Sequence, residues 1–177
     1  MILPRLLTTL AGIAFLSACA APRKPEPVVL PAAPPRPVAS EVPAQPPADW
    51  RDALLTPGNW SYVAGTVGSV ARFGADGAIP LALLRCNRAT GRVALHRVGA
   101  APGPLPLTIT TSTLTRAFSA SPEAGLTPQL TLLFTPRDPV LDAIALSRGR
   151  FVIEVAGLPT LYLPAWPEIA RVIEDCR

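Results

Sequence analysis

The feature of the sequence that most restricts its fold is a series of short apolar runs, each ended within a few residues by Gly, Pro, Asn or Asp. Their spacing of about 8–12 residues is typical of a β-sandwich or barrel rather than of alternating βα units. The expected fold is therefore mainly β, an antiparallel sandwich or barrel-like domain. The predicted strands lie near residues 60–64, 69–73, 81–86, 92–98, 107–111, 114–118, 129–135, 151–156 and 160–163.

Two short helices are predicted, one inserted between strands and one at the C-terminus. Asp138 followed by Pro139 is typical of an N-cap with proline in the first helical position, and Gly149 can end that helix. The second helix is predicted to begin near Pro167. Its apolar stripe is expected to pack on a sheet face, since its members recur at helical spacing: Trp166, Ile169, Ala170 and Ile173.

The first 18 residues are typical of an export signal. Arg5 precedes an apolar run of about 13 residues, which as a helix at about 1.5 Å per residue would cover about 20 Å, less than the roughly 30 Å hydrocarbon core of a bilayer. We therefore interpret residues 1–18 as a cleaved signal peptide and not as a membrane-spanning helix.

The residues that end this run, Leu16-Ser17-Ala18-Cys19, resemble the lipobox of bacterial lipoproteins. The resemblance implies that Cys19 is acylated and becomes the first residue of the mature protein. Several acyl chains hold a protein stably on a membrane. Ala20 follows in place of aspartate, which by resemblance to enterobacterial sorting implies the outer membrane, facing the periplasm. The alternative is an ordinary secretory signal followed by an unrelated cysteine.

Residues 19–48 are interpreted as the lipidated cysteine and a disordered tether, and residues 49–177 as a single β-rich domain. Proline fixes φ and lacks an N–H donor, so the density of prolines excludes helix and sheet interior. As polyproline II, the tether would reach at most about 90 Å. A docking strip for a proline-recognising partner is the alternative. The prolines are Pro22, Pro25, Pro27, Pro31, Pro34, Pro35, Pro37, Pro43, Pro46 and Pro47.

If Cys19 is lipidated, the two remaining cysteines, Cys86 and Cys176, leave only one possible pairing. A disulfide is the expected state of such a pair in an exported protein. The chain-entropy model predicts that closing this loop stabilises the folded state by at most about 4–5 kcal/mol. The bond would also hold the last helix against the sheet. A reactive thiol pair is the alternative, but the CxxC spacing typical of one is missing.

The sequence offers little catalytic chemistry. Lys24 is the single lysine and His96 the single histidine, so a zinc site would lack ligands, and we expect neither a metal nor a cofactor. We predict that the protein is not an enzyme and that His96 is a solvent-facing strand residue, opposite Val93 and Leu95. A hydrolase that uses His96 with Ser112 or Ser147 is the third-ranked hypothesis.

Two candidate binding surfaces remain. Arg85, Arg88, Arg92 and Arg97 surround one predicted hairpin, with His96 beside them, and we expect about three of the arginines to converge. They would either form a solvated edge or contact an anionic surface. The slight excess of arginine over acidic residues in the domain is too weak to indicate nucleic acid. Tyr162 and Trp166 are candidate anchors for a protein partner, or core under the last helix.

The lipobox, the proline-rich tether and the small β-rich body together look like a group of uncharacterised bacterial envelope lipoproteins. The more specific part of that resemblance lies in residues 147–164 and 172–176. A more distant likeness, in layout only, is to periplasmic β-sandwich proteins of the invasion-associated and type VI accessory kinds. Neither resemblance implies a catalytic residue. The leading expectation is a lipid-anchored, non-enzymatic envelope module with a protein partner. The alternative is a protein that binds a small or anionic ligand through the arginine-bearing hairpin.

Overall fold

A computed structural model of the chain describes residues 49–177, so the predicted signal peptide, Cys19 and the predicted tether lie outside the described residues. Nine strands and two helices follow one another in this part of the chain. They are β1 (Asn59–Gly65), β2 (Gly68–Gly74), β3 (Ala82–Asn87), β4 (Arg92–Val98), β5 (Leu105–Thr110), β6 (Thr115–Glu123), β7 (Gln129–Phe134), α1 (Pro139–Ala145), β8 (Arg150–Val155), β9 (Leu161–Pro164) and α2 (Pro167–Glu174).

The predicted mainly β fold, with one inserted and one C-terminal helix, is confirmed. All strand pairs are antiparallel, and the strands form one sheet in the order β1-β2-β3-β4-β7-β6-β5-β8-β9. The main departure from the predicted strands is β6, which extends to Glu123 because its last residues pair with β7 after its first residues have paired with β5.

The two edges of the sheet are brought together by the segment that precedes β1. Thr56 N donates to Tyr162 O at 2.9 Å, and Tyr162 N donates to Thr56 Oγ1 at 2.9 Å. The indole Nε1 of Trp60 in β1 donates to Pro164 O in β9 at 2.9 Å. These bonds satisfy backbone groups that edge strands would otherwise leave unpaired, so the sheet is closed in a barrel-like manner.

The core lies inside the curved sheet, because alternate residues of each strand point to the same side. The largest fully buried side chains include Phe73, Leu95 and Ile153. Both helices lie at one end of the sheet, which we call the helical end. The connections β2–β3, β4–β5, β6–β7 and β8–β9 lie at the opposite end, which we call the loop end.

The apolar stripe of α2 differs by two residues from the prediction. Ile169, Val172 and Ile173 are buried, whereas Ala170 is only partly buried and Trp166 keeps 39% of its surface exposed. The reason is that Trp166 is the N-cap of α2, with the extended backbone angles φ −93° and ψ 163°. Its side chain therefore does not follow the helical period.

Turn chemistry determines the ends of the other elements. Asp138 caps α1 as predicted, since its Oδ1 accepts from Val140 N at 3.0 Å. The helix ends at Ala145 with Leu146 as C-cap, so the prediction that Gly149 ends it is wrong. Gly149 instead takes φ +78° in the turn that enters β8. The hairpin before β4 has Gly91 at φ +56°, as predicted.

The C-terminus is fastened to the sheet by covalent and polar contacts. Cys86 in β3 and Cys176 after α2 form a disulfide with their Cα atoms 5.4 Å apart, which confirms the predicted pairing. Tyr62 Oη in β1 donates to Asp175 Oδ2 at 2.6 Å. The residues after α2 are therefore held to two different strands.

We expect the double substitution C86A/C176A to lower the free energy of unfolding by about 2–5 kcal/mol, because it frees a long loop in the unfolded chain. Denaturant titration under oxidising conditions measures the change. Reductant should lower the midpoint of the parent protein and leave that of the double variant unchanged. An unchanged midpoint in the variant would contradict a stabilising disulfide.

Candidate functional site

The arginines of the predicted hairpin surface are not all brought together. Arg88 turns towards the C-terminus, where its Nη2 lies 3.9 Å from Asp175 Oδ1 and its Nη1 donates to Gly65 O at 3.4 Å. Arg97 points into the barrel, on the same side of β4 as Leu95. Arg85 and Arg92 stay on the surface without such contacts, so the exposed arginines of the hairpin are Arg85, Arg88 and Arg92 and do not include Arg97.

Arg97 is a structural residue of the loop end. It is 4% exposed, and its guanidinium donates to Leu81 O at 3.4 Å, to Pro159 O at 3.0 Å and to Val98 O. Burial lowers the pKa of Arg97 from its usual value. These three carbonyls belong to β4 and to the connections before β3 and β9, so the charge joins separate loops and is not available to a ligand.

His96 lies on the outer face of β4, opposite Val93 and Leu95 as predicted, but it is buried and not solvent-facing. Only 7% of it is exposed, because Thr131 and Glu123 cover it. Thr131 Oγ1 donates to Glu123 Oε2 at 2.8 Å, so its lone pairs accept from His96 Nδ1–H at 2.9 Å.

The surroundings of His96 on balance favour its neutral form. Burial lowers its pKa, the Arg85 charge lowers it further, and the carboxylate of Glu123 opposes both. The pKa of Glu123 is lowered mainly by the hydrogen bond from Thr131. His96 Nε2 is buried and has no partner in the described part of the chain. A protonated ring would leave a buried donor there unpaired, which is costly.

Neither serine of the hydrolase hypothesis contacts His96. Ser112 and Ser147, the serines named for a hydrolase, lie together at the helical end, where Ser112 N donates to Ser147 Oγ at 3.0 Å. His96 contacts Thr131 on the outer face of the sheet instead. The structure thus does not bring together the residues of the hydrolase hypothesis.

Tyr162 and Trp166 are both accessible, to different degrees. Tyr162 is half-buried on β9, and its backbone forms the closing bonds to Thr56. Trp166 stands at the start of α2 with 39% of its surface exposed. Of the two, Trp166 offers the apolar surface that a partner could cover, and neither side chain belongs to the largest fully buried group of the core.

A feature that the sequence did not predict is an open seam between β6 and β7. The two strands pair from Glu123↔Gln129 to Ser121↔Thr131 and then separate. Beyond that point β6 pairs with β5 over Thr115–Ala120, while β7 pairs only with β4. The facing edges of β6 and β7 therefore form no ladder with each other, and a groove of about 340 Å³ lies between them.

The walls of this groove combine apolar and polar chemistry. Phe118 of β6 packs edge-on against Phe134 of β7, with ring centroids 5.4 Å apart, and Leu133 is 67% exposed beside them. Arg116 lies 4.7 Å from the centre of the Phe118 ring and 3.6 Å from Asp138 Oδ1. Hydrogen-bonding direction alternates along a strand, so about three residues of Thr115–Ala120 direct backbone N–H and C=O groups away from β5.

Comparison with protein-family models, with curated proteins and with solved structures found no match. Within residues 49–177, neither helix is long and apolar enough to cross a membrane. The same residues contain no group of three or more side chains that could hold a metal ion.

We expect the domain to become less stable as the pH falls below about 6.5. In the unfolded chain His96 has the ordinary histidine pKa of about 6.5, whereas its pKa in the folded protein is lower, so the unfolded state binds more protons in that window. The free energy of unfolding then falls by at most about 1.4 kcal/mol per pH unit, and the fall levels off below the folded pKa.

The control for this prediction is H96N, which keeps an N–H donor near the position of Nδ1 but does not titrate. Denaturant titrations between about pH 7.5 and pH 5.5 should show a slope for the parent protein and a much smaller one for H96N. An equal slope in both proteins would show that other groups cause the pH dependence.

Proposed function

We propose that the protein is a non-enzymatic module of the bacterial cell envelope that binds an extended segment of another envelope protein along the seam between β6 and β7. In this proposal a lipid at Cys19 anchors the chain to the outer membrane, and the domain faces the periplasm. The seam is the observation that carries the proposal, because its unpaired strand edges have the geometry that strand addition uses.

The chemistry of the seam walls favours a peptide over a small polar ligand as the occupant of the seam. An added strand would form main-chain hydrogen bonds to the edge of Thr115–Ala120, and its alternate side chains would lie on Phe118 and Leu133. Protein edges that are not used for binding are commonly blocked by proline, by bulges or by charges. The charged residue of this edge is Arg116. Its guanidinium lies 3.6 Å from Asp138 Oδ1, so its charge is paired with Asp138 and does not block the edge.

The anchor is proposed from sequence alone. Leu16–Cys19 resembles a lipobox, and the proline-rich residues 20–48 suit a tether that joins a domain to a membrane anchor. The proposal that the protein is not an enzyme is supported by His96, the single histidine of the chain, which is buried against Thr131 and Glu123.

The seam is tested by placing a photo-crosslinking amino acid at position 133 of the full chain in its native envelope. We expect a crosslink that maps to an extended segment of one envelope protein. The matched control places the same group at Val63, an apolar residue of β1 that is 48% exposed. The substitution L133E should abolish partner binding and V63E should not, because only the first puts a charge into the groove.

Three results would overturn the seam as a docking site. They are equal crosslinking from both positions, a crosslink to residues 20–48 of the same chain, and loss of binding with V63E as well as L133E. Hydrogen exchange adds an independent reading. The amides of Thr115–Ala120 that face the groove should exchange quickly in the free protein and slowly in the complex.

The anchor has its own test. Metabolic labelling with a fatty-acid analogue should mark the full chain and should be lost completely in C19A. Labelling that persists in C19A would contradict acylation at Cys19, and it would leave the docking seam untouched because the two proposals concern different parts of the chain.

A further inference from the structure

A second concave surface lies at the helical end and shares no lining residue with the seam. It is an open cleft of about 420 Å³, lined by Arg51, Ser112, Arg148, Gly149 and Arg150. Three separate segments contribute to it: the residues before β1, the turn between β5 and β6, and the turn between α1 and β8. The lining contains three guanidinium groups and no carboxylate.

The guanidinium groups differ in how they are engaged. Arg150 donates to Ala53 O and so fastens the segment before β1 to the start of β8. Arg148 uses its backbone, whose N–H donates to Ser112 Oγ at 3.1 Å, and its side chain has no hydrogen bond or ion pair to residues 49–177. Arg51 pairs with the exposed carboxylate of Asp49 at 3.2 Å.

Hydrogen bonds preorganise the floor of the cleft. Ser112 N donates to Ser147 Oγ at 3.0 Å, and Ser147 Oγ in turn donates to Arg150 O at 2.5 Å. Ser112 Oγ accepts from Arg148 N, which leaves its hydroxyl hydrogen for another acceptor. A tetrahedral oxyanion would therefore meet the guanidinium of Arg148, the guanidinium of Arg51, which it would share with the Asp49 carboxylate, and one hydroxyl donor, a donor set that suits phosphate.

The position of the cleft links it to the chain that leads to Cys19. The described residues begin at Asp49, whose carboxylate accepts from the backbone N of Arg51 at 2.9 Å, so residues 20–48 join the domain beside the cleft. A tether with a reach of at most about 90 Å confines the cleft near the membrane surface, so the site needs less affinity for a headgroup than it would in free solution.

We propose that Arg51, Arg148 and Ser112 bind a phosphate group, and that in the anchored protein this is the phosphate of a lipid headgroup. The lipid as source rests on the anchor proposed above, whereas the phosphate chemistry does not. The bound headgroup would orient the helical end towards the membrane and the loop end away from it.

The test uses the full mature chain with C19S, which cannot be acylated, so that retention on membranes reports the cleft alone. Inorganic phosphate should shift the NMR signals of the Gly149 amide and of the Arg51 and Arg148 side chains. Vesicles rich in phosphatidylglycerol should retain the protein in flotation, and R51Q/R148Q should weaken retention by about 10-fold or more.

The matched control is R85Q/R92Q, which removes the same charge from the surface of the β3–β4 hairpin. It should bind phosphate and vesicles as the parent protein does, and circular dichroism should show that both double variants fold. Equal weakening in the two variants would overturn the cleft in favour of diffuse attraction. A phosphate response without vesicle retention would overturn the lipid source, and no response to either probe would overturn the site. None of these outcomes bears on the proposed docking seam, because that proposal is tested separately by crosslinking at Leu133.

Discussion

The shape of the domain depends on one strand, β6, which changes its partner along its length. Its last residues pair with β7, and Thr115–Ala120 pair with β5. Through this change β6 connects two groups of paired strands, β1-β2-β3-β4-β7 on one side and β5-β8-β9 on the other. One continuous sheet can therefore curve around a single core. The same change leaves two strand edges without partners, and backbone groups that the fold does not satisfy must find water or another chain.

The fold was predictable because most of its information is local. Each strand from β1 to β9 carries its own alternation and turn residues, and Asp138 and Gly91 mark a helix start and a hairpin by their own conformational preferences. The second half of β6 was missed for the converse reason. Residues 119–123 alternate polar side chains only with Ala120 and Pro122, neither of which favours a strand, and they form one because Ser119 and Ala120 pair with β5 and residues 121–123 pair with β7.

The surfaces were less predictable, because they depend on residues that are distant in the sequence. Alternation along β4 placed His96 and Arg97 on opposite faces, but their burial comes from Glu123, Thr131 and Pro159, which other elements supply. Arg51 and Arg148 share a cleft although almost a hundred residues separate them. Charges that are close in sequence were thus dispersed, and charges that are far apart were gathered.

The disulfide and the closing bonds also determine when this domain can fold. Cys176 lies 90 positions after Cys86, and the bond from Trp60 reaches Pro164 across 104 positions. The first strands therefore lack these contacts until β9 and Cys176 have been synthesised, and folds dominated by such distant contacts form slowly. Slow folding of this kind prolongs the unfolded state, which is the state in which a polypeptide can be threaded through a narrow membrane pore.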